Sequence, residues 1–118
     1  MNMAFGKFVR NRREELARKE GGYSVRKLAA MLDIQPSYIS KIERCEVPPP
    51  SEKTIIELAE VLKVDADELL ALAGRVSMEL REVIIRRPRL FADLLRQLKD
   101  APDHAILRVA KDVREFPE

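Results

Sequence analysis

The apolar positions fall into short helical stretches separated by clear stops. Between Ser24 and Arg44, Val25, Leu28, Ala29 and Leu32 follow an i, i+3, i+4, i+7 spacing that places them on one face of a short helix. Ala29, small and on that face, lets another helix come close. Asp33, Ile34 and Gln35 break the pattern, and Pro36 restarts it at a first helical position, where the missing N–H costs nothing. The second helix turns only Ile39 and Ile42 inward. Ser37, Tyr38, Ser40, Lys41 and Arg44 are left for a partner.

The same spacing organises the flanks. A first helix is expected from Ala4 to Lys19, with Phe5, Phe8, Val9, Arg12 or Arg13, and Leu16 inward, stopped by Gly21-Gly22. Val47 to Pro50 reads as a stiff extended connector. Ser51 caps a fourth helix with Thr54, Ile55, Leu58, Ala59, Val61 and Leu62 inside. After a turn at Lys63-Val64, Asp65 caps a fifth helix, with Glu68 three residues on as a variant capping box. Leu69, Leu70 and Leu72 close this unit and Gly74 ends it. Beyond it, Met78 to Ile85, Leu90 to Leu98 and Ile106 to Phe116 each carry a helical apolar pattern, interrupted by Arg86-Arg87-Pro88 and by Lys99 to Pro102. The expected architecture is all-α: a five-helix domain over residues 1–74 and a helical extension over 75–118.

Nine residues in ordered sequence carry a resemblance: Ser24, Leu28, Ala29, Ile34, Ser37, Ile39, Ser40, Ile42 and Glu43. Pro50-Ser51, Thr54, Leu58-Ala59, Leu62 and Asp67-Glu68-Leu69 extend it downstream, and Phe5-Gly6, Val9-Arg10 and Arg13 upstream. The first seventy residues or so resemble the Cro and lambda-repressor-like, or xenobiotic-response-element, family of helix-turn-helix DNA-binding domains. The resemblance implies that residues 36–44 form a recognition helix for the major groove. By the same correspondence Ser37, Ser40 and Lys41 face bases. Gln35, Tyr38 and Arg44 suit phosphates or the groove edge, although the Tyr38 ring could instead pack on helix two. Lys41 is the best specificity candidate, because Lys donates to the O6 and N7 acceptors of guanine. Arg13 and Glu43 match positions that pair in the family, and so are assigned a structural role.

Helix two sets cap against charge. Ser24 is a good N-cap, yet Arg26 and Lys27 occupy the first turn, where the helix dipole favours acids. A DNA phosphate held by Ser24, Arg26 and Lys27 would remove the conflict; side chains extended into solvent would also relieve it. Two departures stand out. The family often has Gln at the position of Val25, so a backbone contact is lost or moved. It usually has Gly at the position of Asp33, where a left-handed backbone is needed; Asp tolerates that conformation better than most residues.

Charge adds a weak argument in the same direction. The net charge is only +2, but residues 1–50 hold ten Lys or Arg against six Asp or Glu, and residues 51–118 twelve against fourteen. A basic front half suits phosphate neutralisation, and equally a solvated surface. The hydrophobic fraction is 46% with only 5% aromatic residues and no Trp, so the core must be aliphatic. One cysteine, Cys45, excludes an internal disulfide, and its place at a helix end reads as incidental. His104 is the only histidine and reads as a surface residue. No metal, cofactor or small-molecule ligand is expected, and no nucleophile, base and oxyanion-donor set is visible for an enzyme. No signal peptide or membrane span is apparent, so a cytoplasmic protein is the expectation.

These readings converge on a transcriptional regulator of double-stranded DNA. Its simplest form is a homodimeric repressor of an inverted-repeat operator, dimerised through residues 75–118. The alternative is an antitoxin-like or partner-controlled regulator whose tail binds another polypeptide. Arg86, Arg87 and Arg89 could add a phosphate contact or simply form a solvated helix end.

Overall fold

The computed structural model describes residues 3–117. Eight helices and no strand occur among them: α1 (Ala4–Glu20), α2 (Val25–Leu32), α3 (Pro36–Glu43), α4 (Glu52–Leu62), α5 (Ala66–Leu72), α6 (Met78–Arg86), α7 (Pro88–Leu98) and α8 (Asp103–Arg114). They divide into two compact units, Met1–Ser77 and Met78–Glu118. The division falls past Gly74 because Arg75 donates through Nη1 and Nη2 to the carbonyls of Pro50 and Pro49, which ties it to the first unit.

Side-chain caps mark the starts of α2, α4 and α5. The hydroxyl of Ser24 accepts from the Lys27 N–H at 3.1 Å, that of Ser51 from Thr54 at 3.3 Å, and the Asp65 carboxylate from Glu68 at 3.2 Å. Each satisfies an N–H that the first turn leaves without an intrahelical partner. The ends share one device. At the ends of α2, α3, α4 and α5 the chain enters a positive φ at Asp33, Cys45, Lys63 and Gly74. In each case the following residue donates back across the last turn: Ile34 to Ala29, Glu46 to Lys41, Val64 to Ala59 and Arg75 to Leu70. These are Schellman closures, which reverse the chain while satisfying carbonyls. Only one of the four left-handed residues is glycine.

The core of the first unit is aliphatic apart from Phe5. Val9, Leu28, Ile55, Leu62, Leu69 and Leu70 are fully buried, with Leu16, Ala29, Leu32, Ile39, Ile42, Leu58 and Ala59 around them. Each such Leu or Ile contributes roughly 1.5–3 kcal/mol on burial, enough together to hold five short helices. Phe8, Val25, Val61 and Leu72 pack against this cluster only partly buried. Gly6 permits the close crossing of α1 over the end of α3: a Cβ there would collide with the Ile42 carbonyl oxygen and lie 2.8 Å from Cys45 Sγ.

Two helix ends differ by a residue from the sequence expectation. Helix α1 continues to Glu20, one residue further, before Gly21 stops it at φ 72°. Helix α3 ends at Glu43, with Arg44 as its cap, because Cys45 has already turned left-handed.

None of the described residues of the second unit is buried. Leu90, Leu95, Leu107 and Val113 are each more than half exposed, and Phe116 lies past the end of α8 at 78% exposure. The amphipathic pattern therefore forms three helices without forming a core.

Candidate nucleic-acid interface

Helix α3 is presented by what it buries. Ile39, Ile42 and Glu43 face inward, while Ser37, Lys41 and Arg44 form an exposed stripe at i, i+4, i+7 on the opposite side. Gln35 is exposed at the N-cap and its side chain makes no capping bond. Tyr38 is half-buried against the core cluster, and Ser40 is half-buried beside Val25 and Arg44. The outward positions closest to the helix start are thus Gln35 and Ser37, with Lys41 one turn on.

A two-pronged ion pair fixes the angle of the helix. Arg13 of α1 donates through Nε to Glu43 Oε2 at 2.7 Å and through Nη2 to Oε1 at 2.9 Å, and Nη1 donates to the Tyr23 carbonyl at 3.1 Å. The Glu43 side chain is only 5% exposed and that of Arg13 13%. Hydrogen bonding to Glu43 raises the Arg13 pKa above its ordinary value against the opposing effect of burial. Planar fork on planar carboxylate leaves little rotational freedom. The pair therefore positions α3 and is turned away from the exposed stripe.

Helix α2 offers a second exposed edge. Ser24 caps it, Arg26 and Lys27 are exposed in its first turn, and no acid is present there. The turn between α2 and α3 is set by Asp33 at φ 55°, ψ 47°, and by Ile34 packing on the core. Arg44 is engaged by Glu46, whose Oε2 accepts from Nε at 2.9 Å and lies 2.9 Å from Nη2 in an ion pair. The Arg44 hydrogen bond, then the positive charges of Arg44 and Lys41, hold the Glu46 carboxyl below the usual carboxylate range.

Residues 15–69 match the helix-turn-helix family model, which covers α2 to α5 up to Leu69. Over this segment the chain is similar to the helix-turn-helix domains of the Cro and lambda-repressor-like family. Two HTH-type transcriptional regulators named RamB, from two strains of Mycobacterium tuberculosis, are each 39% identical to the chain over 71 residues. The alignment takes in 59% of this chain and only 15% of each relative, so the chain matches a small part of those proteins. No solved structure matches the chain.

Three residues around the helix-turn-helix were not assigned from sequence. Tyr23 donates from its hydroxyl to the Val61 carbonyl at 3.2 Å, locking the α1–α2 loop onto α4. Glu46 reaches Arg44 only because Cys45 folds the chain back, and cysteine carries no turn signal. Arg10 stands one turn before Arg13 on α1 and joins Ser40 and Arg44 in lining one concavity; its spacing from Arg13 was the available clue. His104 is exposed, and no group of potential metal ligands occurs among the described residues. No described helix is long and apolar enough to cross a membrane.

Proposed function

We propose that this protein is a sequence-specific regulator of transcription that binds double-stranded DNA through α3 and acts as a repressor by occupying its operator. The observation that carries the reading is the exposed stripe of Ser37, Lys41 and Arg44 on a helix whose other side is anchored by Ile39, Ile42 and the Arg13–Glu43 fork. Such a helix contributes little to the core beyond its anchors, and its outward surface is polar and cationic. Ser37, Ser40 and Lys41 are assigned to base edges, with Ser40 reached from the side of the groove. Ser24, Arg26, Lys27, Gln35, Tyr38 and Arg44 are assigned to the sugar–phosphate backbone. The RamB relatives are transcriptional regulators by name, which favours the same class.

The protein works as a homodimer on an inverted repeat, with half-sites about 34 Å apart. Residues 78–118 supply the dimer contact, since most of their large apolar side chains are exposed. A second reading draws on that same exposure: the tail binds a different polypeptide. Selection of bound sequences from random duplex DNA tests the first reading. Enrichment of an inverted repeat by the full chain, and of a weak half-site by a chain ending at Ser77, is the expected outcome. Absence of any enriched sequence refutes DNA reading, and a strictly monomeric full chain in solution favours the second reading.

A further inference from the structure

A concavity of about 260 Å³ opens between α1, the start of α2 and the last turn of α3, lined by Arg10, Arg13, Val25, Ser40, Glu43 and Arg44. Arg13 and Glu43 satisfy each other, so Arg10 and Arg44 are the cations left to a ligand. Both have only loose partners. Arg10 lies 3.6 Å from Glu14, with side chains 56% and 44% exposed, and arginine-before-glutamate is the weaker order for an i, i+4 pair. Arg44 and Glu46 form an exposed pair, which water screens. Glu14 and Glu46 are not part of the lining. Ser40 completes the wall.

We propose that this concavity receives a phosphodiester of the DNA backbone, with Arg10 and Arg44 as its cationic ligands, and that Glu46 is the resident counter-anion which the phosphate displaces from Arg44. This deepens the DNA-binding reading and rests on it. Carboxylate and phosphate oxygens compete for the same planar donors of arginine. Glu46 is therefore a built-in competitor that lowers affinity for every sequence equally, because it touches no base. The positive surroundings of Glu46 keep it ionised, so at neutral pH the competition is always present. Random DNA then gains less from Arg44 than the side chain could give, and discrimination falls to the contacts of α3 with bases.

The test uses the full chain and a labelled random-sequence duplex, with anisotropy titrations over a range of salt. Glu46→Gln is expected to tighten binding by about 3- to 10-fold, and Arg10→Ala to weaken it by a similar factor while reducing the salt slope by about 0.9. Both side chains are exposed, so thermal melts of the variants should match the wild type. Equal or weaker binding by Glu46→Gln, or an unchanged slope for Arg10→Ala, overturns the proposal. Wild-type protein that binds no duplex at all brings down the DNA-binding reading as well, whereas wild-type binding with unresponsive variants brings down only this assignment. Nitrogen-15 spectra of the Arg44 Nε–H, recorded with duplex and with inorganic phosphate at matched ionic strength, separate the two sources of phosphate. A response to inorganic phosphate alone assigns the concavity to a free anion and overturns the proposal.

Discussion

Left-handed residues carry the turns of the first unit, and three of them pay a steric cost that glycine would not. At Asp33, φ is 55° and ψ 47°, with the N–H already bonded to the end of α2. Asp33→Gly is expected to stabilise the domain by about 0.5–1 kcal/mol, read as a higher urea midpoint with the same slope. The opposite sign is expected at Gly6, where a methyl meets the Ile42 carbonyl and Gly6→Ala should lower the midpoint. Arg13→Ala would strand a buried Glu43 carboxylate, and a loss of about 3 kcal/mol is expected. The double change to Ala at Arg13 and Glu43 should cost less than the sum of the single changes, because it removes the stranded charge. The Asp33 turn was legible from the break in apolar spacing. The Lys63-Val64 turn was legible as well, but the left-handed backbone at Cys45 and Lys63 was not, since neither residue type favours a positive φ; Val47 and Val64, just beyond them, pack against the core.

Among the elements, the proposed reading divides the work of contacting DNA between α2 and α3, and that division predicts distinct mutational signatures. Lys41→Ala should weaken the preferred site by about 1–3 kcal/mol and spare random DNA. Arg26→Ala should weaken both and flatten the salt dependence by about 0.9 in slope. Titration of the four protein–DNA pairs checks the division, and equal effects of the two changes on both DNAs would sink it. Helix positions were readable because caps and stops are local: Ser24, Ser51 and Asp65 each bond an N–H three residues on. The ties between helices were not readable in that way. Arg12 donates through Nε to the Leu62 carbonyl at 2.9 Å, and Tyr23 to that of Val61 at 3.2 Å. A backbone carbonyl has no residue identity to betray it, so such partners come into view only once α1 and α4 are packed. Expecting Arg12 or Arg13 to face inward caught the direction and missed that both do so for different partners.

At the scale of the whole chain, a unit with a dense core is followed in sequence by one in which no described residue is buried. Residues 78–118 are about the size below which a chain usually needs oligomerisation, metal or disulfides to hold a fold. A standard interface takes about 800 Å² from each partner, and the exposed apolar side chains of α6, α7 and α8 are sufficient in number to supply an area of that order. Light scattering should give the mass of two chains for the full protein and of one for a chain ending at Ser77, with the shorter chain retaining a cooperative melt. Leu95→Asp should shift the full protein toward monomer. The spacing of apolar residues announced three helices here, but not their cover, because a helical stripe specifies a face and leaves its occupant open.

The two tyrosines divide the optical signal in a useful way. With no Trp in the chain, Tyr23 and Tyr38 are its main intrinsic fluorophores, and both belong to the first unit. Tyr23 is bonded into the α4 end, so its emission is expected to follow unfolding; Tyr38 sits on α3, so on the proposed reading its emission also follows DNA approaching that helix. Tyr38→Phe therefore yields a protein whose light reports denaturation but is blind to ligand. In either form the tail is dark, and its association can be followed only by mass or by an added label.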